Sequence, residues 1–284
     1  MDATGPNADQ IRYWNETAPP KWIGLQRLLD DQLRALGELT MERAAIAACE
    51  RVIDVGCGCG ATSAELARRV GPRGKVLGID ISTPMLACAA ELASSLPNAR
   101  FENADAQTHR FASDAYDLVF SRFGVMFFVD PAAAFANLRS ALRPGGRLAF
   151  VCWQALSDNP WMLVPLAAAA QHVTLPPPPA PGAPGPFSFA DAVRVRGILD
   201  DAGFRDVALE DHRQTLAVGG TVDLEEAVGF LLQMGPTGVL LRDVDADVRA
   251  RVGGAVRQAI EPFLTSGGVR MPSAAWIVTA RTAG

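Results

Sequence analysis

The stretch Arg51-Val52-Ile53-Asp54-Val55-Gly56-Cys57-Gly58-Cys59-Gly60-Ala61 restricts the fold more than any other part of this chain. Apolar β-formers run up to an acid, and glycine then falls at every second position. The pattern predicts a buried strand, a tight turn and a helix over Thr62–Val70. Glycine at 56, 58 and 60 lacks a Cβ, which leaves bare backbone open to a bulky ligand. The helix that follows aims its free N–H groups at the same place. In an α/β fold, a turn of this kind at the carboxyl end of a parallel strand is a nucleotide site.

Three readings of the turn stand side by side. It can simply pack a helix on a sheet. Gly56-x-Gly58-x-x-Ala61 also matches a dinucleotide fingerprint. Asp54, two residues before the first glycine, argues against a pyrophosphate, because like charges repel in a partly dry site. It suits a ligand that joins an adenosine to a cationic amino acid. S-adenosylmethionine (SAM), with a sulfonium, an ammonium and no phosphate, is such a ligand.

The following segments supply what that ligand needs. Lys75–Asp80 reads as a second strand ending in an acid, at the spacing from the glycine turn that reaches a ribose diol. Ser82 and Thr83 before Pro84 can cap the next helix, which frees Asp80 from that task. Ile81 and Met85 offer apolar faces to an adenine ring, although Met85 also suits a core position. A third strand, Ala99 to Asp105, ends in an acid able to accept from an adenine amino group. Strand four is Tyr116–Phe120, with Ser121-Arg122-Phe123-Gly124 after it. Strand five follows Leu142-Arg-Pro-Gly-Gly146 and runs over Arg147–Trp153.

This set resembles the class I SAM-dependent methyltransferases. Asp54-x-Gly56-x-Gly58-x-Gly60 is similar to the family's first motif, Asp80 to its ribose acid, and Asp105-Ala106 to its adenine contact. Leu142 to Arg147 is similar to the turn that enters strand five. The nearest likeness is to the small-molecule branch that includes the ubiquinone/menaquinone-type enzymes. In that branch an aromatic N-terminal segment often folds over the cofactor. Tyr13, Trp14 and Trp22 stand in its place here, with packing in a satellite core as the other reading. Ser121 falls beside the cofactor by the same resemblance. The resemblance implies SAM as cofactor, S-adenosylhomocysteine as product, and methyl transfer to an O, N or C acceptor on a small, partly apolar metabolite. The alternatives are an NAD(P)-dependent oxidoreductase and a methyltransferase fold that uses SAM for other chemistry.

The fold expected is a doubly wound α/β, Rossmann-like architecture, because right-handed crossovers link the alternating strands and helices. The resembled fold implies a seven-stranded mixed sheet of order 3-2-1-4-5-7-6, its last strand antiparallel. Residues 1–40 read as an N-terminal helical lid, with one helix over Lys21–Glu38. Residues 41–284 read as the SAM-binding domain, with insertions 154–190 and 221–270 capping the substrate end. Leu175 to Pro186, rich in proline, predicts a stiff, extended connector.

Composition narrows the partners. The chain has 284 residues, a net charge of −5 and only two lysines, Lys21 and Lys75. Tight nucleic-acid binding usually leaves a basic footprint, and none emerges. The polar, acidic N-terminus is not a signal peptide, and the longest apolar stretch is too short to span a bilayer. Five cysteines without a secretory signal suggest free thiols in the cytoplasm. Cys57-x-Cys59 has neither the spacing nor a nearby histidine for zinc, so no metal is expected.

Catalysis needs positioning more than side-chain chemistry, because the cofactor brings an electrophilic methyl. His172 is the candidate base, after the alanine run of the first insertion. His109 reads as a surface residue and His212 as an exposed edge-strand residue. Arg122 can steer an anionic substrate or pair with Asp130. Phe123, Met126, Phe127 and Phe128 divide between pocket lining and core. The Asn/Asp-Pro-Pro-Tyr/Phe sequence of N-methyladenine enzymes is absent after strand four, which further favours small molecules.

Overall fold

The computed structural model describes residues 2–93 and 95–284. Helices α1 (Ala8–Arg12), α2 (Pro19–Gly24) and α3 (Gln26–Arg43) precede the sheet, with a π-helical turn over Tyr13–Thr17 after α1. The single helix expected over Lys21–Glu38 is in fact two. The chain bends at Leu25, whose φ/ψ of −104°/9° leaves the helical region. Then come β1 (Arg51–Val55), α4 (Ala61–Val70), β2 (Lys75–Asp80), α5 (Thr83–Ala93), β3 (Ala99–Asn103), β4 (Tyr116–Arg122), α6 (Pro131–Ala141) and β5 (Leu142–Trp153). The remaining elements are α7 (Pro160–Ala169), α8 (Ala192–Asp201), β6 (Arg205–Ala217), α9 (Leu224–Leu231), α10 (Gly235–Leu240), α11 (Ala246–Ile260), β7 (Leu264–Thr265) and β8 (Gly268–Arg281).

The sheet runs β3-β2-β1-β4-β5-β8-β6, with β7 attached to β8. The five strands from β3 to β5 are parallel, and β8 is antiparallel to both β5 and β6. This is the expected order once the two-residue β7 is counted as a strand. The sheet is covered on both faces, which is why β1 reads as an almost unbroken apolar run. Side chains two apart share a face. Val52, Val76 and Leu118 pack against α4 (Leu66, Ala67, Val70) and against Met41 and Ala44 at the end of α3. Ile53, Leu77 and Val119 join the larger core on the opposite face, with Phe135 and Leu138 of α6.

Aspartates set the starts of several helices by accepting backbone N–H bonds: Asp130 from Ala133 for α6, Asp223 from Glu226 for α9 and Asp245 from Val248 for α11. Gly203 follows α8 with φ +85°, the left-handed turn that favours glycine at a helix end. Asp54 and Val55 therefore end a central strand next to β4. There the strand order reverses from β1-β2-β3 to β1-β4-β5, which is where open sheets of this kind form a ligand crevice. Among the described residues, no helix is long and apolar enough to cross a membrane.

Candidate functional site

The turn after β1 is built backbone against backbone. Gly56 has φ +68°, and a Cβ there would lie 2.8 Å from the Cα of Gly124 in the turn after β4. A Cβ on Gly58 would sit 2.9 Å from the Met85 methyl, and one on Gly60 2.9 Å from the Phe101 ring. The glycines thus serve packing, one of the readings that the sequence left open for this turn.

Asp54 is buried, and its Oδ2 accepts the Ser63 hydroxyl at 2.6 Å. Its Oδ1 is buried with no hydrogen-bond partner. Burial pushes its carboxyl up from 3.8 to about 7, against the opposing effects of the Ser63 bond and the Arg122 charge. A buried carboxylate with an unused oxygen is a ready acceptor for a cation. Asp80, at the end of β2, accepts the Gly58 amide on Oδ2 and the Ser82 amide on Oδ1, each at 2.8 Å. Burial raises its pKa, while these backbone bonds act the other way. Each carboxylate oxygen keeps a second lone pair, so Asp80 can take further donors.

The N-terminal segment lies across the carboxyl ends of the strands. Asn15 Nδ2 donates to the Ile81 carbonyl at 2.9 Å, and its Oδ1 accepts the Thr83 amide at 3.0 Å. Asn7 donates to Asp105 at 2.8 Å and to Gln107 at 3.0 Å, and accepts the Val129 amide at 3.0 Å. Tyr13 and Trp14 lie in the π-helical turn between these ties. Trp14 meets Trp22 and Phe127 edge-on, each with ring centroids 5.2 Å apart. Tyr13 lies under the Arg242 guanidinium, 5.5 Å from its ring centroid. The aromatics form a satellite cluster, and the asparagines beside them tie that cluster to the loops after β2, β3 and β4. Sequence reasoning missed Asn7 and Asn15, because single amides carry no spacing signal.

Other expected residues take on structural partners. Asp105 is buried, with Oδ2 holding Asn7 and Oδ1 accepting the Gln107 amide at 2.9 Å. The carbonyl of Ala106 accepts from Asn137 on α6 at 2.9 Å. Ser121 donates to the Val55 carbonyl at 2.8 Å and accepts the Gly124 amide at 3.1 Å, so its hydroxyl closes the turns after β1 and β4. Arg122 pairs with Asp30 of α3 at 2.6 Å, not with Asp130, which is occupied in capping α6.

His172 is exposed just past α7; its amide donates to the Ala169 carbonyl at 2.9 Å, and among the described residues its imidazole joins no hydrogen bond or ion pair, so it does not face a buried pocket. His109 is half-buried, not a surface residue, with its ring 4.6 Å from Phe111 and Nδ1 3.5 Å from Glu102. His212 is half-buried on β6, 3.2 Å from Gln214. Cys57 and Cys59 are buried free thiols, and burial raises Cys59 to about 12.

Phe123 carries φ +60°, a strained conformation for an aromatic residue. Its ring stacks on Trp153 at 4.2 Å, and Trp153 lies 5.3 Å from Trp161. An aromatic wall thus stands at the ends of β4 and β5, beside Arg122. Trp161 Nε1 in that wall is buried without a partner.

These groups fit SAM. The unused Asp54 oxygen suits its ammonium, Asp80 has lone pairs for a diol, and Ile81 and Met85 supply apolar side chains after it. Residues 52–146 match the family model described as a methyltransferase domain. The chain is similar to trans-aconitate 2-methyltransferase of Deinococcus radiodurans, at 43% identity over 99 residues, covering 35% of this chain and 36% of that one. It is also similar to aklanonic acid methyltransferase DauC of Streptomyces, at 40% identity over 103 residues, covering 36% of this chain and 47% of that one. The chain therefore spans less than half the length of these curated relatives. Among solved structures it shares its fold with the YcgJ protein of Bacillus subtilis, with TM-score 0.57, 16% identity, and coverage of 87% of this chain and 98% of that one.

Proposed function

We propose that this chain, whose residues 52–146 match a methyltransferase-domain family model, transfers a methyl group from SAM to an O, N or C atom of a small, partly apolar metabolite. The observation that carries the reading is the buried, unpartnered Oδ1 of Asp54 at the glycine turn. SAM supplies an electrophilic methyl group when bound. Asp54 holds the ammonium of the cofactor, and Asp80 accepts from its ribose. Ile81 and Met85 flank the adenine, Asp105 and Ala106 border its edge, and Gly56, Gly58 and Gly60 shape the turn.

Residues 1–40 act as a lid, with Tyr13 and Trp14 held over the cofactor through Asn7 and Asn15. Segments 154–190 and 221–270 cap the acceptor, and Phe123, Trp153 and Trp161 give it a flat aromatic wall. Arg122, held by Asp30, orients a polar or anionic group of the acceptor. Rate enhancement comes mainly from in-line positioning, for which about 7–11 kcal/mol is accessible in favourable systems. The substrate is a small molecule, not nucleic acid, and the protein works in the cytoplasm, a reading supported by its acidic charge and free thiols.

The experiment is incubation of the protein with methyl-labelled SAM and a panel of aromatic and carboxylate metabolites, together with calorimetric titration of SAM and S-adenosylhomocysteine. Label transfer to a panel member is the expected result. Absence of binding by either nucleoside at millimolar concentration would overturn the assignment. Binding without transfer across the panel would favour a SAM-using fold with other chemistry.

A further inference from the structure

The sheet end opposite the Asp54 turn carries a second concave site. It is a cleft of about 380 Å³ whose lining includes Arg51, Lys75, Arg100, Tyr116, Pro72 and Pro97. Arg51 opens β1, Lys75 opens β2, Arg100 is the second residue of β3 and Tyr116 opens β4. The cleft therefore sits at the amino ends of the strands, about 15–20 Å from the cofactor turn at ~3.3 Å per residue.

Three observations single it out. Among the described residues, no acidic side chain lines the cleft, although the chain as a whole carries −5. Among the described residues, Arg51, Lys75 and Arg100 take part in no ion pair. Two acids next to lining residues in sequence are already committed: Asp117 to Arg143 at 2.9 Å and to the Arg51 amide at 2.6 Å, and Glu50 to Arg147. Finally, Arg51 and Lys75 are direct register partners on neighbouring parallel strands, and Arg100 partners Leu77, two residues on from Lys75. Partners in register share a face, so the three cations project from the same side. Like charges directly opposite one another destabilise a sheet, and a bound polyanion would relieve that repulsion.

The walls add a second preference. The Arg51 guanidinium lies 5.3 Å from the Tyr116 ring centroid, and Pro72 and Pro97 flank the cleft with apolar surface. Guanidinium groups bind phosphate oxygens through paired donors and also stack on flat rings. The volume falls within the range of small-ligand sites, about 300–1,000 Å³. We propose that this cleft binds a nucleoside diphosphate-class ligand, its phosphates across Arg51, Lys75 and Arg100 and its ring against the proline and guanidinium surface. The site is separate from the methyl-transfer site and does not depend on that assignment.

The test is calorimetric titration of the full chain with ADP, with S-adenosylhomocysteine saturating so that the cofactor turn is blocked. Saturable ADP binding that weakens as salt rises is expected, with pyrophosphate competing and adenosine about tenfold weaker or worse. The double variant K75A/R100A removes two exposed cations and should weaken ADP about tenfold or more through lost charge-assisted bonds. Its affinity for S-adenosylhomocysteine, the check on folding, should stay within about twofold, because no contact links these residues to the turn. ADP displaced by S-adenosylhomocysteine, equal affinity for adenosine and ADP, no saturation by about 5 mM (an affinity near the weak-binding limit), or an unchanged double variant would each overturn the proposal.

Discussion

Asp54→Asn isolates the carboxylate on which the cofactor reading rests. In the ligand-free protein, burial raises this group from 3.8 to about 7. Its folded state therefore holds a proton that the unfolded chain has lost between those two values. Stability falls as pH rises through that window, by about 1.4 kcal/mol per pH unit for one group, and levels off above about 7. The full effect is on the order of 4 kcal/mol. Asparagine removes the ionisation and can keep the Ser63 bond, but its amide meets the place where Oδ1 has no partner. An unsatisfied buried donor costs about 1–3 kcal/mol.

The two effects oppose each other, so the sign of the difference depends on pH. At pH 8 the variant should melt a few degrees above the wild type, given about 2–4 °C per kcal/mol for a chain of this size class. At pH 4.5 it should melt at or below the wild type. Scanning calorimetry of both proteins from pH 4.5 to 8, without ligand, measures the crossing. SAM should bind the wild type more tightly as pH rises toward 7, and bind the variant more weakly with little pH dependence. A melting difference that stays constant over the whole range would refute the account of Asp54 as a buried, proton-holding acid.

Further perturbations test other parts of the site. Gly56→Ala places a methyl 2.8 Å from the Gly124 Cα at φ +68°. It should destabilise by about 2–4 kcal/mol, read by urea unfolding, because the Gly124 atoms it meets are backbone and cannot swing aside. Asp80→Ala should weaken S-adenosylhomocysteine binding by about 2–3 kcal/mol through lost charge-assisted bonds; calorimetry showing unchanged affinity would end its ribose role. Asn15→Ala breaks the ties to Ile81 and Thr83. It should lower stability by only about 1–2 kcal/mol yet speed cofactor release in stopped-flow measurements, and an unchanged release rate would count against the lid. Arg122→Ala should raise KM for an anionic acceptor more than it lowers kcat, whereas equal loss for neutral and anionic acceptors would leave it a structural partner of Asp30.

The parallel half of the sheet was legible because its physics is local. Val52–Val55 and Val76–Ile79 are buried on both faces, with Asp54 and Asp80 placed just before the glycine and serine turns, so pattern and position agree. Ala275–Ala280 reads as a last strand from its apolar pattern, but β8 extends back to Gly268, because its pairing with β6 and not its own apolar pattern sets its length. The bend at Leu25 was hidden because the apolar period runs through it unbroken. At the candidate site, the place of Asp54 and Asp80 relative to the glycines pointed to them, and the structure sets both carboxylates beside the glycine turn. Asn7, Asn15 and the Ser63 hydroxyl were missed, since a polar residue's partner, up to 122 positions away for Asn7, leaves no mark on its neighbours. Arg122 illustrates the same limit. Asp130 is near it in sequence, but the fold brings Asp30 to it across 92 positions.

The carbonyl of Met126 accepts both the Gly185 amide at 3.1 Å and the Ser188 hydroxyl at 2.6 Å. The chain leaving the proline-rich connector is thus pinned two residues beyond Gly124, which itself abuts Gly56. An outward swing of that connector to admit an acceptor would pull on the glycine turn proposed to hold the cofactor. Amide hydrogens at Gly185, Gly124 and Gly56 should accordingly exchange with solvent as one cooperative unit, and filling the cofactor turn should slow exchange at Gly185 on the far side of the mouth. Acceptor entry and cofactor retention would then share a single mechanical latch.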